Sequence, residues 1–391
     1  MKRTTICEMP VLNRSGYGKM SDDYITSLLK NPKLDIGIIP SQWGNCVGRG
    51  RKDKNDELII SKLITKQVTE QPDIYCSATI PNLVKPKGRF NINFTAGIEV
   101  DRCYDQIIHG VNSVDLTICC SQFAKNNFLN SNVKVTKPIE VVYWGADTNV
   151  FKPDAPSKDN VNKELDIILE QQVFLFVGQN THPKLFSDRK DMDGLIKSFC
   201  ELFANVKNAP ALLLKTSGTN FSTFDRNQML EKIASIKQLI RGDLPSVYLL
   251  HGELSDEEMA ALYTHPKIVA NISFTHGEGF GGPLLQSSLC GKPTFASNWS
   301  AHTEYLTDSR FMLEGDIVAL RDDLVSEYFV KGSNWFQVDY EKAKTKIVHF
   351  LDNIAEYNKA ALELGAKNSK EFSLNKIDYR LNKVINKYCR L

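Results

Sequence analysis

The sequence holds no apolar run near the roughly 18 residues that a membrane-spanning helix requires. Its amino terminus, MKRTTICEMPVLNRSG, lacks the apolar core of a signal peptide. Charge of one sign is also missing: 48 Lys and Arg stand against 46 Asp and Glu, a formal net charge of +2. Any surface for a polyanion must therefore be local. The nine cysteines are odd in number, scattered and never spaced as CxxC, which excludes a disulfide framework and a cysteine zinc site. No repeat with a period of roughly 20–50 residues is visible. These absences lead us to expect a cytoplasmic protein with reduced, packing cysteines, no metal site and no integral membrane contact.

With 391 residues the chain is long for one hydrophobic core, so two domains are expected. Strand and helix patterns alternate through both halves. The first half opens with a strand over 1–10 and then NRSGYGKM, where Gly16 and Gly18 start a helix bearing Tyr24, Ile25, Leu28 and Leu29. That G-x-G serves either a tight strand-to-helix turn or close approach of a ligand. A strand over 36–39 follows, then the irregular stretch SQWGNCVGRGRKDKND with Trp43, Arg49, Arg51, Lys52 and Lys54. It reads as a solvated loop or as a surface for a phosphate-bearing acceptor. A helix is expected over 58–69 and strands over 73–78, 90–95, 116–120 and 140–143. Glu99, Asp101 and His109 follow the carboxyl end of the 90–95 strand, where open α/β sheets bind ligands.

The second half restarts at 173–178 with VFLFVG. Next come a polar loop ending in DRKDMDG, a helix, and strands at 211–215 and 247–250 with a helix over 227–240 between them. Ser255 and Glu258 have capping-box spacing. A helix over 341–367 and an amphipathic helix over 374–389 close the chain. The densest signal lies between: a strand over 268–274, the loop HGEGFGG, Pro283 in a first helical turn, and Gly291 stopping the helix before a strand over 292–297. Such a loop aims free backbone N–H groups at an anion.

Four blocks in this order, VFLFVG…RKDMDGLIKSF, VYLLHGELSDEEMAALY, SFTHGEGFGGPLLQSSLCGKPTFAS and EYL, resemble the donor domain of family 4 retaining glycosyltransferases. SGYGKM, INFTAGIEVD, DLTICCSQFAKNNF and PIEVVYWGADTNVFKP extend the resemblance to nearly the whole chain. It implies an α/β chain of GT-B type: two Rossmann-like parallel-sheet domains with an interdomain cleft, and a last helix crossing back to the first domain. We set these as an acceptor-side domain over 1–158, a nucleotide-sugar domain over 159–370 and a crossover helix over 371–391.

The resemblance assigns Glu278 to the donor sugar and Arg189 with Lys190 to its diphosphate. Gly178, His251, Gly252, His276, Gly279, Phe280, Gly281 and Gly282 would join the donor site, and Gly16 and Gly18 would approach it. Gln286 falls where the family has a second glutamate that accepts from ribose hydroxyls; a glutamine accepts through one uncharged oxygen only. His251, His276, Glu304 and Gln286 each fit a structural role as well. Glu99 is a candidate catalytic group on the acceptor side, with Trp43, Arg49, Arg51 and Lys52 as acceptor contacts. With the cationic pair on the diphosphate no metal or other cofactor is required. The acceptor is a saccharide or, in the setting of a phage, hydroxymethylated DNA. The competing expectation is a non-catalytic nucleotide-sugar binding protein.

Overall fold

The computed structural model describes residues 2–390 apart from 45, 47, 49–54, 65–69, 181, 219, 220 and 327. The chain forms two compact units. The first comprises Met1–Ala146, Ala319–Asn334 and Glu371–Leu391; the second comprises Asp147–Val318 and Trp335–Lys370.

In the first unit β1 (Arg3–Met9), α1 (Gly16–Leu29), β2 (Leu34–Pro40), α2 (Asp56–Ile60), β3 (Ile74–Ala78), β4 (Phe90–Thr95), α3 (Asp105–Ser113), β5 (Leu116–Cys119), α4 (Gln122–Leu129) and β6 (Ile139–Val141) follow one another. All pairings in its sheet are parallel, with strand order β2-β1-β3-β4-β5-β6. β3 and β5 are buried along their whole length, as strands covered on both faces must be. The alternating pattern therefore reads correctly as crossover units. The helix expected over 58–69 does not hold in its described part: α2 ends at Ile60, and Ile64 N–H donates to Ile38 O (2.9 Å) while Ile38 N–H donates to Lys62 O (2.9 Å); residues 65–69 lie outside the described residues. Sheet-edge pairing wins over helical propensity in the segment that follows α2.

In the second unit α5 (Asp159–Asp166), β7 (Val173–Gln179), α6 (Met192–Leu202), β8 (Ala211–Ser217), α7 (Thr223–Lys237), β9 (Val247–Leu250), α8 (Asp256–Thr264), β10 (Ile268–Ser273), α9 (Gly282–Leu289), β11 (Thr294–Ser297) and β12 (Met312–Leu313) build a second parallel sheet of order β12-β11-β10-β7-β8-β9. The Ser255–Glu258 capping box is formed at α8. β13 (Gly315–Ala319) and β14 (Asn334–Val338) make a two-stranded sheet. The helix expected over 341–367 is two: α10 (Tyr340–Asp352) and α11 (Ile354–Glu371), parted where Asn353 leaves helical backbone (φ −131°, ψ 30°).

α12 (Leu374–Tyr388) belongs to the first unit and packs on α1. Lys30 Nζ donates to Asp378 Oδ2 (2.5 Å), Asn31 Nδ2 donates to Asn382 Oδ1 (2.9 Å), and Tyr388 Oη donates to Glu140 Oε1 (2.7 Å). Gly145 is required here, because a Cβ on it would lie 2.1 Å from Phe372 O. No described helix is long and apolar enough to cross a membrane.

Candidate functional site

The glycine loop follows the carboxyl end of β10, inside the second unit. The chain reverses at Gly281, whose φ of 86° suits glycine, and enters α9 with Pro283 in the first turn. A Cβ on Gly281 would meet Tyr305 Oη at 2.7 Å. That hydroxyl is shared between the carbonyls of Phe280 (2.9 Å) and Gly281 (2.6 Å), which fixes the loop. The backbone N–H groups of Gly281 and Gly282 are buried and find no acceptor among the described residues. A buried N–H without an acceptor is rare. Two in a row at the positive end of a helix form a seat for an anion.

Charged side chains reach the same loop from the segment between β7 and α6. Asp191 adopts a left-handed backbone (φ 46°, ψ 40°) and caps α6 by accepting from Gly194 N–H (3.2 Å), while Tyr340 Oη donates to its Oδ2 (2.7 Å). Lys190 N–H donates to Asp188 Oδ1 (2.8 Å), and His276 N–H donates to Arg189 O (2.8 Å), so the two loops are laced together. Arg189 Nη1 donates to Gly277 O (2.5 Å) and stands 3.5 Å from Glu278 Oε2. Lys190 Nζ donates to Glu278 Oε1 (2.5 Å). Burial pushes the Glu278 carboxyl up, but the charges of Lys190 and Arg189 outweigh it and bring its pKa to about 2. Burial drives Asp191 the other way, to about 7, against the hydrogen bonds from Tyr340 and Gly194. The two cations and the Glu278 carboxylate thus stand in the same loop cluster as the two amides. Among the described residues no group of three or more His, Cys, Asp or Glu is arranged to hold a metal ion.

The structure thus brings together Arg189, Lys190, Glu278, Gly279, Phe280, Gly281 and Gly282. Phe280 is buried with its ring 5.4 Å from Tyr305, and acts as an anchor of the loop. Gly178 lies close by, since a Cβ on it would sit 3.7 Å from Lys190 Cδ. His276 is buried, stacks on Trp335 at 4.0 Å and bonds through Nδ1 to Phe336 O (2.7 Å), so its ring packs the base of the loop. Gln286 is half-buried on α9, and its side chain has no hydrogen-bond partner among the described residues. Glu304 lies in a short 3-10 turn after β11.

His251 and Gly252 follow β9, at the same sheet's carboxyl edge. His251 Nε2 bonds Asp225 Oδ2 (2.7 Å), and that carboxylate also accepts from Gly218 N–H (3.0 Å). Gly252 has φ 146° and open space where a Cβ would stand; Lys215 Nζ donates to its carbonyl (2.5 Å) and lies 5.2 Å from the Phe221 ring centre. Lys215, Phe221 and Asp225 escape a reading of the sequence because each lies in a different local pattern.

The remaining candidates, the donor-side Gly16 and Gly18 and the acceptor-side residues, belong to the first unit. Gly16 opens α1 with nothing within 4 Å of an added Cβ, whereas Gly18 is packed against Asn13, its Cβ position 2.5 Å from Asn13 O. Gly18 thus serves the turn; Gly16 leaves space open. Trp43 stacks on Tyr17 (3.8 Å between ring centres, 20° between planes). Tyr17 Oη lies 2.9 Å from Thr95 Oγ1 and accepts from Ala96 N–H (3.0 Å) at the end of β4. Burial above all, with the nearby charge of Glu99, pushes the Tyr17 phenol up. Asp101 is taken up by Asn334, accepting from its N–H and Nδ2 at 2.7 Å each. His109 is exposed on α3. Arg49, Arg51 and Lys52 lie outside the described residues.

No protein-family profile matches the chain, and no curated protein sequence does. Its structure does match known ones. A glycosyltransferase from Rickettsia africae ESF-5 is 16% identical, covering 99% of this chain and 98% of that one, with a TM-score of 0.64. Anabaena HepE, solved with UDP and glucose, is 14% identical, covers 98% and 100%, and has a TM-score of 0.65. Sucrose-phosphate synthase from Thermosynechococcus elongatus is 11% identical, covers 99% of each chain, and has a TM-score of 0.63. The fold is GT-B. In GT-B terms the glycine loop, Arg189, Lys190 and Glu278 all lie in the carboxyl-terminal unit of the pair.

Proposed function

We propose that the protein is a retaining glycosyltransferase that takes a sugar from a nucleoside diphosphate. The observation that carries this reading is the pair of buried N–H groups of Gly281 and Gly282, set beside the Lys190–Arg189–Glu278 cluster. As the bond from the anomeric carbon to the diphosphate oxygen breaks, negative charge grows on the leaving group. The two amides, the end of α9 and the cations are already aimed at it, which is where preorganised dipoles lower a barrier most. Glu278, ionised at every ordinary pH, accepts hydrogen bonds from sugar hydroxyls. The acceptor hydroxyl attacks from the face the diphosphate leaves, and its proton passes to a diphosphate oxygen. The cationic pair does the work for which a metal would otherwise serve. HepE is described in complex with UDP-glucose, which makes UDP-glucose the first donor to try.

A thermal-shift panel of UDP-, GDP- and ADP-sugars tests the reading, because a ligand of the folded state raises the melting temperature. One donor is expected to shift it by several degrees at about 100 times its Kd and to be hydrolysed slowly without acceptor. A donor that binds tightly yet stays intact over long incubation with every acceptor tried would favour the non-catalytic binding protein instead.

For the acceptor, the Tyr17–Trp43 stack favours a saccharide. Sugar rings lay their C–H faces on aromatic rings, and the neighbouring Glu99 repels a phosphate backbone while accepting from hydroxyls. Binding of the acceptor saccharide is expected to weaken at least tenfold in W43A and to change little between 50 and 200 mM salt. A loss of about a thousandfold over that salt range would point to DNA.

A further inference from the structure

Ser300 stands outside every expectation drawn from the sequence. Its backbone lies at φ 74°, ψ −166°, a region that is essentially glycine's alone. It is buried, and its hydroxyl accepts from the backbone N–H of Glu278 (2.9 Å), while Ala301 N–H donates to Glu278 O (3.2 Å). The peptide units on both sides of Glu278 are thus tied to the turn after β11. His302 lies behind Ser300 with no exposed surface. Its Nε2 contacts Ser297 O (2.5 Å) and its Nδ1 faces Ser300 Oγ at 3.4 Å. A carbonyl can only accept, so Nε2 carries the proton and Nδ1 is left as an acceptor. Burial keeps this imidazole below its ordinary pKa and therefore neutral. The donors then run in one direction, from Glu278 N–H to Ser300 Oγ and from Ser300 O–H to His302 Nδ1, while His302 Nε2–H closes on Ser297 O.

We propose that Ser300 and His302 are positioning residues that hold the Glu278 backbone, and through it the carboxylate, in register with Lys190 and the glycine loop. The proposal rests on the glycosyl-transfer reading for its kinetic consequence but not for its geometry. A glycine would take the Ser300 backbone without strain and removes the hydroxyl together with its Cβ. Serine here carries a conformational cost that the hydroxyl's contact with Glu278 accounts for. A purely structural role predicts that relieving the strain helps the protein in every respect; a positioning role predicts that stability and activity separate.

The test is S300G, read three ways. Its melting temperature is expected to equal or exceed that of the unsubstituted protein. Hydrogen exchange at the Glu278 amide, followed by NMR, is expected to accelerate at least tenfold. The kcat for UDP-glucose is expected to fall by about tenfold or more, with KM nearly unchanged, since a group moved slightly out of register loses rate more than binding. H302Q, whose amide can still accept from Ser300 and donate to Ser297, is expected to keep more activity than H302L. Exchange at Glu278 within twofold of the unsubstituted protein, or S300G with full kcat, overturns the proposal. If the unsubstituted protein neither binds nor cleaves UDP-glucose, the donor reading fails, and the exchange measurement still decides the positioning role.

Discussion

Glu278→Gln is expected to lower turnover of the donor by about a thousandfold, with K190A close behind and the double variant little worse than either. Glu278 is buried with Lys190 half-buried against it and Arg189 3.5 Å away, so removing Glu278 leaves two cations without their carboxylate, and removing Lys190 leaves Glu278 only the more distant guanidinium. Non-additivity is therefore part of the expected result. Full turnover in both single variants, measured with the true donor, would overturn the assignment of this cluster as the active site. The same carboxylate leaves a mark on stability. Its folded pKa of about 2 lies below the ordinary 4.5, so its ion pairs stabilise the protein fully above that ordinary value. The contribution, on the order of 3 kcal/mol, is lost as pH falls through about 2. Acid unfolding followed by circular dichroism should show this limb in the unsubstituted protein, and E278Q should flatten it.

Gly281→Val is the second large effect. The residue must hold φ 86°, which a β-branched side chain resists, and its Cβ would press on Tyr305 Oη at 2.7 Å. The cost is about 3 kcal/mol or more, a fall in melting temperature of roughly 10 °C for a unit of this size. Binding of UDP should disappear, because the two amides that await an acceptor move with the turn. Gly16→Ala provides the contrast. Its Cβ enters open space, so stability should stay within about 0.5 kcal/mol. A drop in donor or acceptor binding without a change in stability would then mark Gly16 as a point of ligand approach. G281V that still binds UDP at full affinity would show that the anion seat lies elsewhere.

Much of the fold can be read in the chain because the strands are apolar on both faces and the turns between them carry glycine, proline or a capping serine. The strand expected over 90–95 is β4 to the residue, and 247–250 is β9. The misreadings have one physical form. After α2, residues with helical spacing pair with the edge of the sheet instead, through Lys62, Ile64 and Ile38. At Asn353 a helical pattern runs on in sequence while the backbone turns out of it. Long-range contacts decide both, and no window of sequence contains them. The candidate site divides in the same way. Gly281, Pro283 and Glu278 advertise themselves in one motif, and Arg189 with Lys190 enters through resemblance. Ser300, His302, Tyr305 and Trp335 carry no local signal, since each matters only for what it touches. Only the backbone strain of Ser300 singles it out, and strain is invisible before folding.

The dispersed make-up of the first unit has a consequence for how the protein comes into being. Its sheet is complete by Val141, yet the helix that covers α1 begins at Leu374, and the whole second unit is synthesised between them. During translation the α1 face, with Lys30 and Asn31 waiting for Asp378 and Asn382, stays uncovered until α12 has been made. The carboxyl-terminal unit can reach its final form first, reversing the usual amino-to-carboxyl order of domain maturation. A chain stopped before Leu374 would carry the glycine loop on one unit and an uncovered α1 on the other.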